Sequence, residues 1–274
     1  MEMSKVIPRS LGAVCLALNT TLSGVMAQPA FEPQVGQAGK DVIWVPTPQS
    51  LVDKMLELAK VTPADYVIDL GSGDGRTVIT AAKLGATAHG IEYNPDMVEL
   101  SKRNAEKAGV TGKATFAKAD IFASDFSKAT VITMFLLPGL NLKLRPIILE
   151  MKPGTRVVSN SFDMGDWRAD ETGQPTKDCT GYCKAYFWIV PAKVDGTWQL
   201  GPSELSLQQR YQFFTGKLTT GNVIAPITDG KLEAGRITFS AGGSRYTGQV
   251  KGNAMEGTRT SGGTDAKWEA TRGK

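Results

Sequence analysis

The stretch Tyr66 to Arg76, YVIDLGSGDGR, constrains this chain more than any other. Tyr66, Val67, Ile68 and Leu70 form a short apolar run, the composition of a strand buried on both faces of a parallel sheet. Asp69 interrupts that run, and the chain then turns on Gly71, Gly73 and Gly75. Glycines between a strand and the helical pattern of Arg76 to Leu84 make a βα turn whose backbone can approach a ligand closely. A dinucleotide loop wants Gly-x-Gly-x-x-Gly facing a pyrophosphate. Here the spacing is Gly-x-Gly-x-Gly. Asp69 and Asp74 would repel a pyrophosphate, whereas they suit a ligand that carries positive charge.

At these residues the sequence resembles the class I, seven-strand S-adenosylmethionine (SAM) methyltransferases, whose first motif is an acidic residue followed by Gly-x-Gly-x-Gly; DLGSGDG matches it without a gap. The resemblance implies a doubly wound, mostly parallel seven-strand α/β sheet of Rossmann-like type. It also implies SAM as cofactor, held by Asp69, Gly71, Ser72, Gly73, Asp74 and Gly75. Thr87 to Ile91 reads as a second strand with Glu92 at its end, where the family places an acid that accepts hydrogen bonds from both ribose hydroxyls. Lys113 to Lys118 reads as a third strand. Asp120 and Ile121 follow it, where the family places an acid near the adenine amino group and an apolar residue against the ring. Doubly wound sheets bind ligands at the carboxyl edge, so the three carboxylates make one ligand-shaped row.

The remaining chain is organised around that row. With 274 residues it is long enough for a standard domain and a small one. Lys and Arg number 31 against 27 Asp and Glu, a weakly basic balance from which nucleic-acid binding is not predicted. Residues 1–27 read as an export signal: Lys5 and Arg9 precede the apolar Leu11 to Leu18, and Val25-Met26-Ala27 offers a cleavage site. The apolar stretch is too short for a membrane span, so no stable span is expected after cleavage. A periplasmic or secreted protein follows, or a cytoplasmic one if the segment is not a working signal. Residues 28–40 read as a linker. In DVIWVPTPQSLVDKMLELAK, Pro46 and Pro48 fix an extended entry to a helix on which Leu51, Val52, Met55, Leu56 and Ala59 recur at helical spacing. Trp44, Val45 and Thr47 are candidate lid residues over the cofactor, with a core anchor as the other reading of Trp44. Strand and helix then alternate: helix 95–108, strand 129–136, helix 140–151, strand 156–161. Lys184 to Pro191 and Thr197 to Leu200 are expected to supply an antiparallel pair closing the sheet. The methyltransferase domain is thus placed at 41–202. Residues 203–274 read as a small antiparallel β-domain, a half-barrel or sandwich, with turns at Asp229-Gly230, Gly242-Gly243 and Gly262-Gly263.

The loop after the fourth strand, where the family's acceptor binds, reads Phe135-Leu136-Leu137-Pro138-Gly139. It lacks the Asn/Asp-Pro-Pro-aromatic pattern of enzymes that methylate planar amines. VPTP, DLGSGDGR, Glu92-Tyr93-Asn94-Pro95, FLLPG and PGTRVVSNSF together are most similar to the seven-strand protein-lysine methyltransferases related to the non-SET histone enzymes. That similarity implies a protein amine as acceptor. A small-molecule acceptor, or a non-catalytic exported binding protein, are the other readings. Asp163, Asp166 and Trp167 are candidate acceptor-pocket residues; no catalytic residue is assigned. His89, the one histidine, lies inside a strand and reads as structural. No metal site is expected. Cys179 and Cys183 in DCTGYC read first as a short-range disulfide, then as free thiols, and last as half of a metal site.

Overall fold

The computed structural model describes residues 1–3, 5 and 31–273. The export signal expected at 1–27 therefore lies almost wholly outside the described residues. Residues from Glu32 onward form one compact unit. Its first part runs α1 (Gln49–Leu58), β1 (Tyr66–Leu70), α2 (Arg76–Lys83), β2 (Thr87–Glu92), α3 (Pro95–Lys107), β3 (Ala114–Lys118), β4 (Val131–Met134), α4 (Pro138–Leu149), β5 (Arg156–Asn160), β6 (Glu171–Gly173) and β7 (Ala185–Ile189).

These strands form the expected seven-stranded sheet, in the order β3-β2-β1-β4-β5-β7-β6. The pairs β1–β2, β1–β4, β2–β3 and β4–β5 are parallel, and β7 joins β5 and β6 antiparallel. Alternate residues of each central strand enter two cores. Val67, Val131 and Val158 pack with Leu51, Val52, Met55, Val78 and Ala82 from α1 and α2. Ile68, Ile132 and Val157 pack on the other face with Leu144 and Ile148 of α4 and with Trp167 and Trp188. A sheet covered on both faces explains why these strands read as continuous apolar runs. The chain leaves β1 to build β2 and β3 on one side and returns to place β4 on the other. That reversal opens a crevice at the carboxyl ends of β1 and β4.

The second part comprises β8 (Gly196–Leu200), β9 (Ser203–Arg210), β10 (Phe213–Thr220), β11 (Val223–Pro226), β12 (Thr228–Glu233), β13 (Arg236–Ala241), β14 (Ser244–Lys251), β15 (Ala254–Ser261) and β16 (Thr264–Arg272). Two expectations change here. The strand at Gly196–Leu200 does not close the first sheet: it pairs with β9 and β16, while β6 closes the first sheet instead. And β10 pairs with both β9 and β12, so the second sheet closes into a barrel of eight strands, with β11 added alongside β10. Eight strands leave an interior that side chains can fill. Trp198, Phe239, Tyr246 and Trp268 fill it here, with Phe239 and Tyr246 stacked 4.6 Å apart. Of the expected turns, Gly242-Gly243 and Gly262-Gly263 join β13 to β14 and β15 to β16. Asp229-Gly230 is no hairpin turn but a register shift within β12. A Cβ on Gly230 would stand 2.1 Å from the Phe214 carbonyl oxygen, so glycine is needed for β12 to cross onto β10.

The two parts meet through the turn between β9 and β10. The Tyr211 ring stacks on Trp167 at 6.0 Å and its hydroxyl donates to Asp166 at 2.9 Å. Arg145 on α4 lies over the same ring, 5.5 Å from its centroid. The Gln212 amide donates to the Arg168 carbonyl.

Candidate active site

The crevice at the carboxyl edge of the first sheet is a cavity of about 620 Å³, within the range of small-ligand sites. Asp69, Gly71, Ser72, Gly73, Asp74, Glu92, Asp120 and Ile121 all line it. Of the residues expected to hold a cofactor, Gly75 alone does not reach the wall. It caps α2 in a left-handed conformation (φ 82°), and a Cβ there would stand 2.8 Å from Phe116 and 2.9 Å from Ser101. Gly75 lets the loop pack down on its own sheet, which is how the motif exposes the backbone of Gly71 to Asp74.

The carboxylates differ in environment. Asp69 is almost completely buried and accepts a 2.6 Å hydrogen bond from Thr133. Burial raises its pKa to about 7, only partly offset by the Thr133 hydroxyl, with Glu92 and Asp74 adding like-charge repulsion. Among the described residues no cation pairs with it. Asp74 by contrast is held by Arg76 at 2.6 Å, and Arg76 also donates to the Thr47 carbonyl. Glu92 is clamped in one rotamer: the backbone N–H groups of Gly73 and Asn94 donate to its two oxygens, both at 2.9 Å. Each oxygen keeps a further acceptor position. Asp120 accepts from the Phe122 N–H and from Lys40 at 2.6 Å, and these bonds lower its pKa. The Ser72 hydroxyl is buried beside Gly90 and has no hydrogen-bond partner among the described residues.

Lys40 belongs to a strap across the cavity. Residues 37–47 line it throughout, so the segment read as the end of a linker is a wall of the site. The Trp44 indole nitrogen stands 2.8 Å from where a Gly73 Cβ would lie, and Thr47 is buried against Asn160. Trp44, Val45 and Thr47 all face the cavity, as the lid reading expects, and Trp44 is not among the buried core residues.

The acceptor-side expectations are corrected. Asp166 is tied to Arg145, Arg210 and Tyr211, which hold its pKa far below the usual carboxylate range, and it serves the junction with the barrel. Trp167 is fully buried beside Trp188. Asp163 accepts the Gly165 N–H in a turn. None of the three lines the cavity. Phe135, Leu136, Leu137, Leu140, Phe162 and Tyr182 do. FLLPG lacks the closing aromatic residue of the planar-amine loop, but Phe162 and Tyr182 bring rings to it from two other loops. Sequence spacing carries no sign of that meeting; only the positions of Phe162 just after β5 and Tyr182 just before β7 point to one edge of the sheet. His89 hydrogen-bonds Thr115 at 2.8 Å, away from the cavity, and burial lowers its pKa. Cys179 and Cys183 form a disulfide.

The arrangement fits an adenosyl sulfonium ligand. A buried carboxylate without a cation suits an amino group or sulfonium, a fixed carboxylate with free acceptor positions suits a vicinal diol, and the glycine backbone leaves room for close approach.

Comparison with known proteins agrees. The family model described as the ANTKMT methyltransferase domain matches residues 69–171. A protein-lysine N-methyltransferase of Saccharolobus islandicus is 49% identical over 133 residues, 47% of this chain and 83% of that protein. A mouse lysine N-methyltransferase named for ATP synthase is 38% identical over 107 residues, 39% of this chain and 43% of the mouse protein. The chain thus spans most of the archaeal relative but less than half of the mouse one. The crystal structure of an RNA methyltransferase from Salinibacter ruber, bound to S-adenosylhomocysteine, is 48% identical with a TM-score of 0.51 and covers 55% of this chain and 96% of that one. With the motif, the sheet order and the carboxylate row in one cavity, this chain belongs to the class I SAM-dependent methyltransferases, in the family of the protein-lysine N-methyltransferases.

Proposed function

We propose that this protein transfers the SAM methyl group to a lysine-type amine of another protein. The observation that carries the reading is a single cavity that joins the three strand-end carboxylates to an apolar, aromatic wall. On this reading Glu92 accepts from the ribose hydroxyls, Asp69 faces the cationic end of the cofactor, and Asp120 with Ile121 borders the adenine. The glycine backbone from Gly71 to Asp74 follows the ligand between them. Bound SAM supplies an electrophilic methyl group on a sulfonium. The residues of this chain hold the acceptor nitrogen in line with it and exclude water, which is the main work of such a displacement. The amine lone pair forms the N–C bond while the S–C bond breaks and leaves its electrons on sulfur. The amine must first lose a proton to water, and desolvation by Phe135, Leu136, Leu140 and Phe162 lowers the ammonium pKa in favour of that loss.

A protein amine is preferred to an RNA base because the loop after β4 has no side-chain amide or acid to grip a planar amine. The names of the archaeal and mouse relatives support the same choice. The test is calorimetric titration of the full chain with SAM and S-adenosylhomocysteine, followed by transfer of labelled methyl from SAM to protein and RNA fractions. Glu92→Ala is expected to weaken S-adenosylhomocysteine at least about 100-fold, by removing charge-assisted bonds. Label entering RNA and not protein would refute the acceptor assignment; no cofactor binding by folded wild type would refute the whole reading.

We further propose that the protein works in an oxidising compartment outside the cytoplasm. The charged and apolar pattern of residues 1–27 and the Cys179–Cys183 disulfide support this. Among the described residues no helix is long and apolar enough to cross a membrane. Fractionation of the host cells, with the intact mass of the recovered protein, decides it: full-length protein confined to the cytoplasm would refute export.

A further inference from the structure

The loop between β6 and β7 lies beyond residues 69–171, the span of the family model, and the cofactor chemistry above makes no use of it. It nonetheless brings an aromatic ring to the cavity. Tyr182 is about half exposed, and its ring centroid lies 5.3 Å from that of Phe135 and 6.0 Å from that of Phe162. Phe135 and Phe162 lie 6.2 Å apart and nearly parallel, at 23°, and Tyr182 is tilted by 60° and 57° against them. All three residues line the cavity that holds the carboxylate row.

Each ring is held by a different device. Phe135 directly follows β4. Phe162 follows β5, and the buried amide of Asn141 on α4 donates to the carbonyls of Phe162 and Asp163, both at 3.1 Å. Tyr182 sits in a loop closed by the Cys179–Cys183 disulfide. That loop is unfavourable in itself: Asp178 and Tyr182 are left-handed, with φ of 55° and 49°. Non-glycine residues keep such angles only where their surroundings impose them. Here the disulfide imposes them, together with the Ser50 hydroxyl donating to the Asp178 carbonyl at 2.9 Å and the Ser161 N–H donating to the Lys184 carbonyl at 2.6 Å. A strained, cross-linked loop that holds an exposed tyrosine against a ligand cavity is a recognition element rather than a connection.

We propose that Phe135, Phe162 and Tyr182 form the acceptor subsite, an aromatic pocket for an alkylammonium group, and that Tyr182 on its disulfide loop determines the specificity of that subsite. The proposal rests on the protein-amine reading above and deepens it. Ring faces attract a cation electrostatically and also provide a water-poor surface. Both properties suit a nitrogen that arrives as an amine and leaves as a methylated ammonium. Because the disulfide holds Tyr182 in place, acceptor binding depends on the oxidation state of Cys179 and Cys183, whereas cofactor binding does not.

The test uses the full chain saturated with S-adenosylhomocysteine and titrated with Nα-acetyl-trimethyllysine amide, beside a neutral isostere with a tert-butyl carbon in place of the trimethylammonium. Wild type is expected to bind the cation about tenfold more tightly than the isostere, the range of a desolvated cation–π contact. Tyr182→Ala loses about tenfold in that affinity, Tyr182→Phe stays within about threefold, and S-adenosylhomocysteine affinity is the same in all three. Treatment with a phosphine reductant weakens the cation in wild type and leaves S-adenosylhomocysteine unchanged. Equal binding of cation and isostere, an unaffected Tyr182→Ala, or competition by a short RNA oligonucleotide instead of the cation would each overturn the proposal while cofactor binding persists. A folded wild type that binds no S-adenosylhomocysteine would overturn the methyltransferase reading itself.

Discussion

The seven-stranded sheet and the eight-stranded barrel bury similar kinds of side chain, yet the carboxylate row belongs to the sheet. There, parallel strands all end at the same edge, and each strand end passes into a loop before the next helix. Asp69, Glu92 and Asp120 therefore arrive side by side although they belong to β1, β2 and the loop after β3. In the barrel, successive strands reverse through tight turns such as Gly242-Gly243 and Gly262-Gly263, and the side chains that converge do so inside, as the apolar core around Phe239. Parallel topology gathers polar strand ends, whereas antiparallel closure hides apolar ones. The barrel meets the first sheet's layer where Tyr211 contacts Arg145 of α4 and Asp166 and Trp167 after β5.

Phe239→Ala tests whether the barrel and the sheet are independent. Loss of a fully packed aromatic residue is expected to cost about 3–5 kcal/mol of barrel stability, read by denaturant unfolding. S-adenosylhomocysteine affinity, measured where the variant is folded, should not change. A parallel loss of affinity would mean that the barrel shapes the cavity and that the two regions are not separable.

In the sheet the corresponding residue is Asp69. Its pKa of about 7 in the ligand-free protein means that a cationic ligand binds the carboxylate and displaces a proton. SAM affinity is therefore expected to fall as pH drops below 7, by up to about tenfold per pH unit, and to level off above it. Burying that charge also costs stability. For an acid whose folded pKa lies above its unfolded value of about 4, the stabilisation present at low pH is lost as pH rises through 7. Asp69→Asn should then flatten the pH dependence of binding, weaken SAM, and raise the melting temperature of the ligand-free protein at pH 8. A variant that melts lower at that pH would contradict the buried, unpaired carboxylate.

Smaller effects probe the junction and the strap. Tyr211→Ala removes the stack on Trp167 and the hydrogen bond to Asp166, and should destabilise the chain by about 1 kcal/mol and separate the thermal transitions of the two regions. A single unchanged transition in calorimetry would show that the turn between β9 and β10 does not couple them. Lys40→Ala opens a partly exposed pair with Asp120 and should change S-adenosylhomocysteine affinity by less than about fivefold. A larger change would show that the Lys40–Asp120 pair itself holds the ligand.

How much of this was legible in the chain depended on the distance over which each signal acts. DLGSGDG was legible because its strand, turn and helix cap are contiguous, and the chain does turn on Gly71, Gly73 and Gly75, all three at left-handed angles. The alternation of strands and helices to Asn160 was legible because the continuous apolar runs left by burial on both faces of the sheet alternate with segments of helical period. Thr197 to Leu200 was recognisable as a strand but not by its partner, since alternation looks the same in either sheet; β9 and β16 claim it through pairings that only the folded barrel provides. Barrel closure was hidden for the same reason, as was the bulge at Asp229-Gly230, which imitates a turn. Asp166 and Trp167 followed β5 at the right place for an acceptor pocket, but Tyr211 drew them into the junction.

The parallel α/β architecture and Asp69 could be read from apolar runs alternating with helical periods and from one contiguous motif, while Glu92 and Asp120 followed from the resemblance to the class I methyltransferases. Tertiary structure alone decided that Asp74 and Asp120 meet cations while Asp69 is buried apart from the described ones, that residues 37–47 close over the cavity, and that Phe135, Phe162 and Tyr182 meet on its wall. Charge state and aromatic convergence depend on which distant segments come within a few ångströms, and that is set by packing and not by sequence spacing.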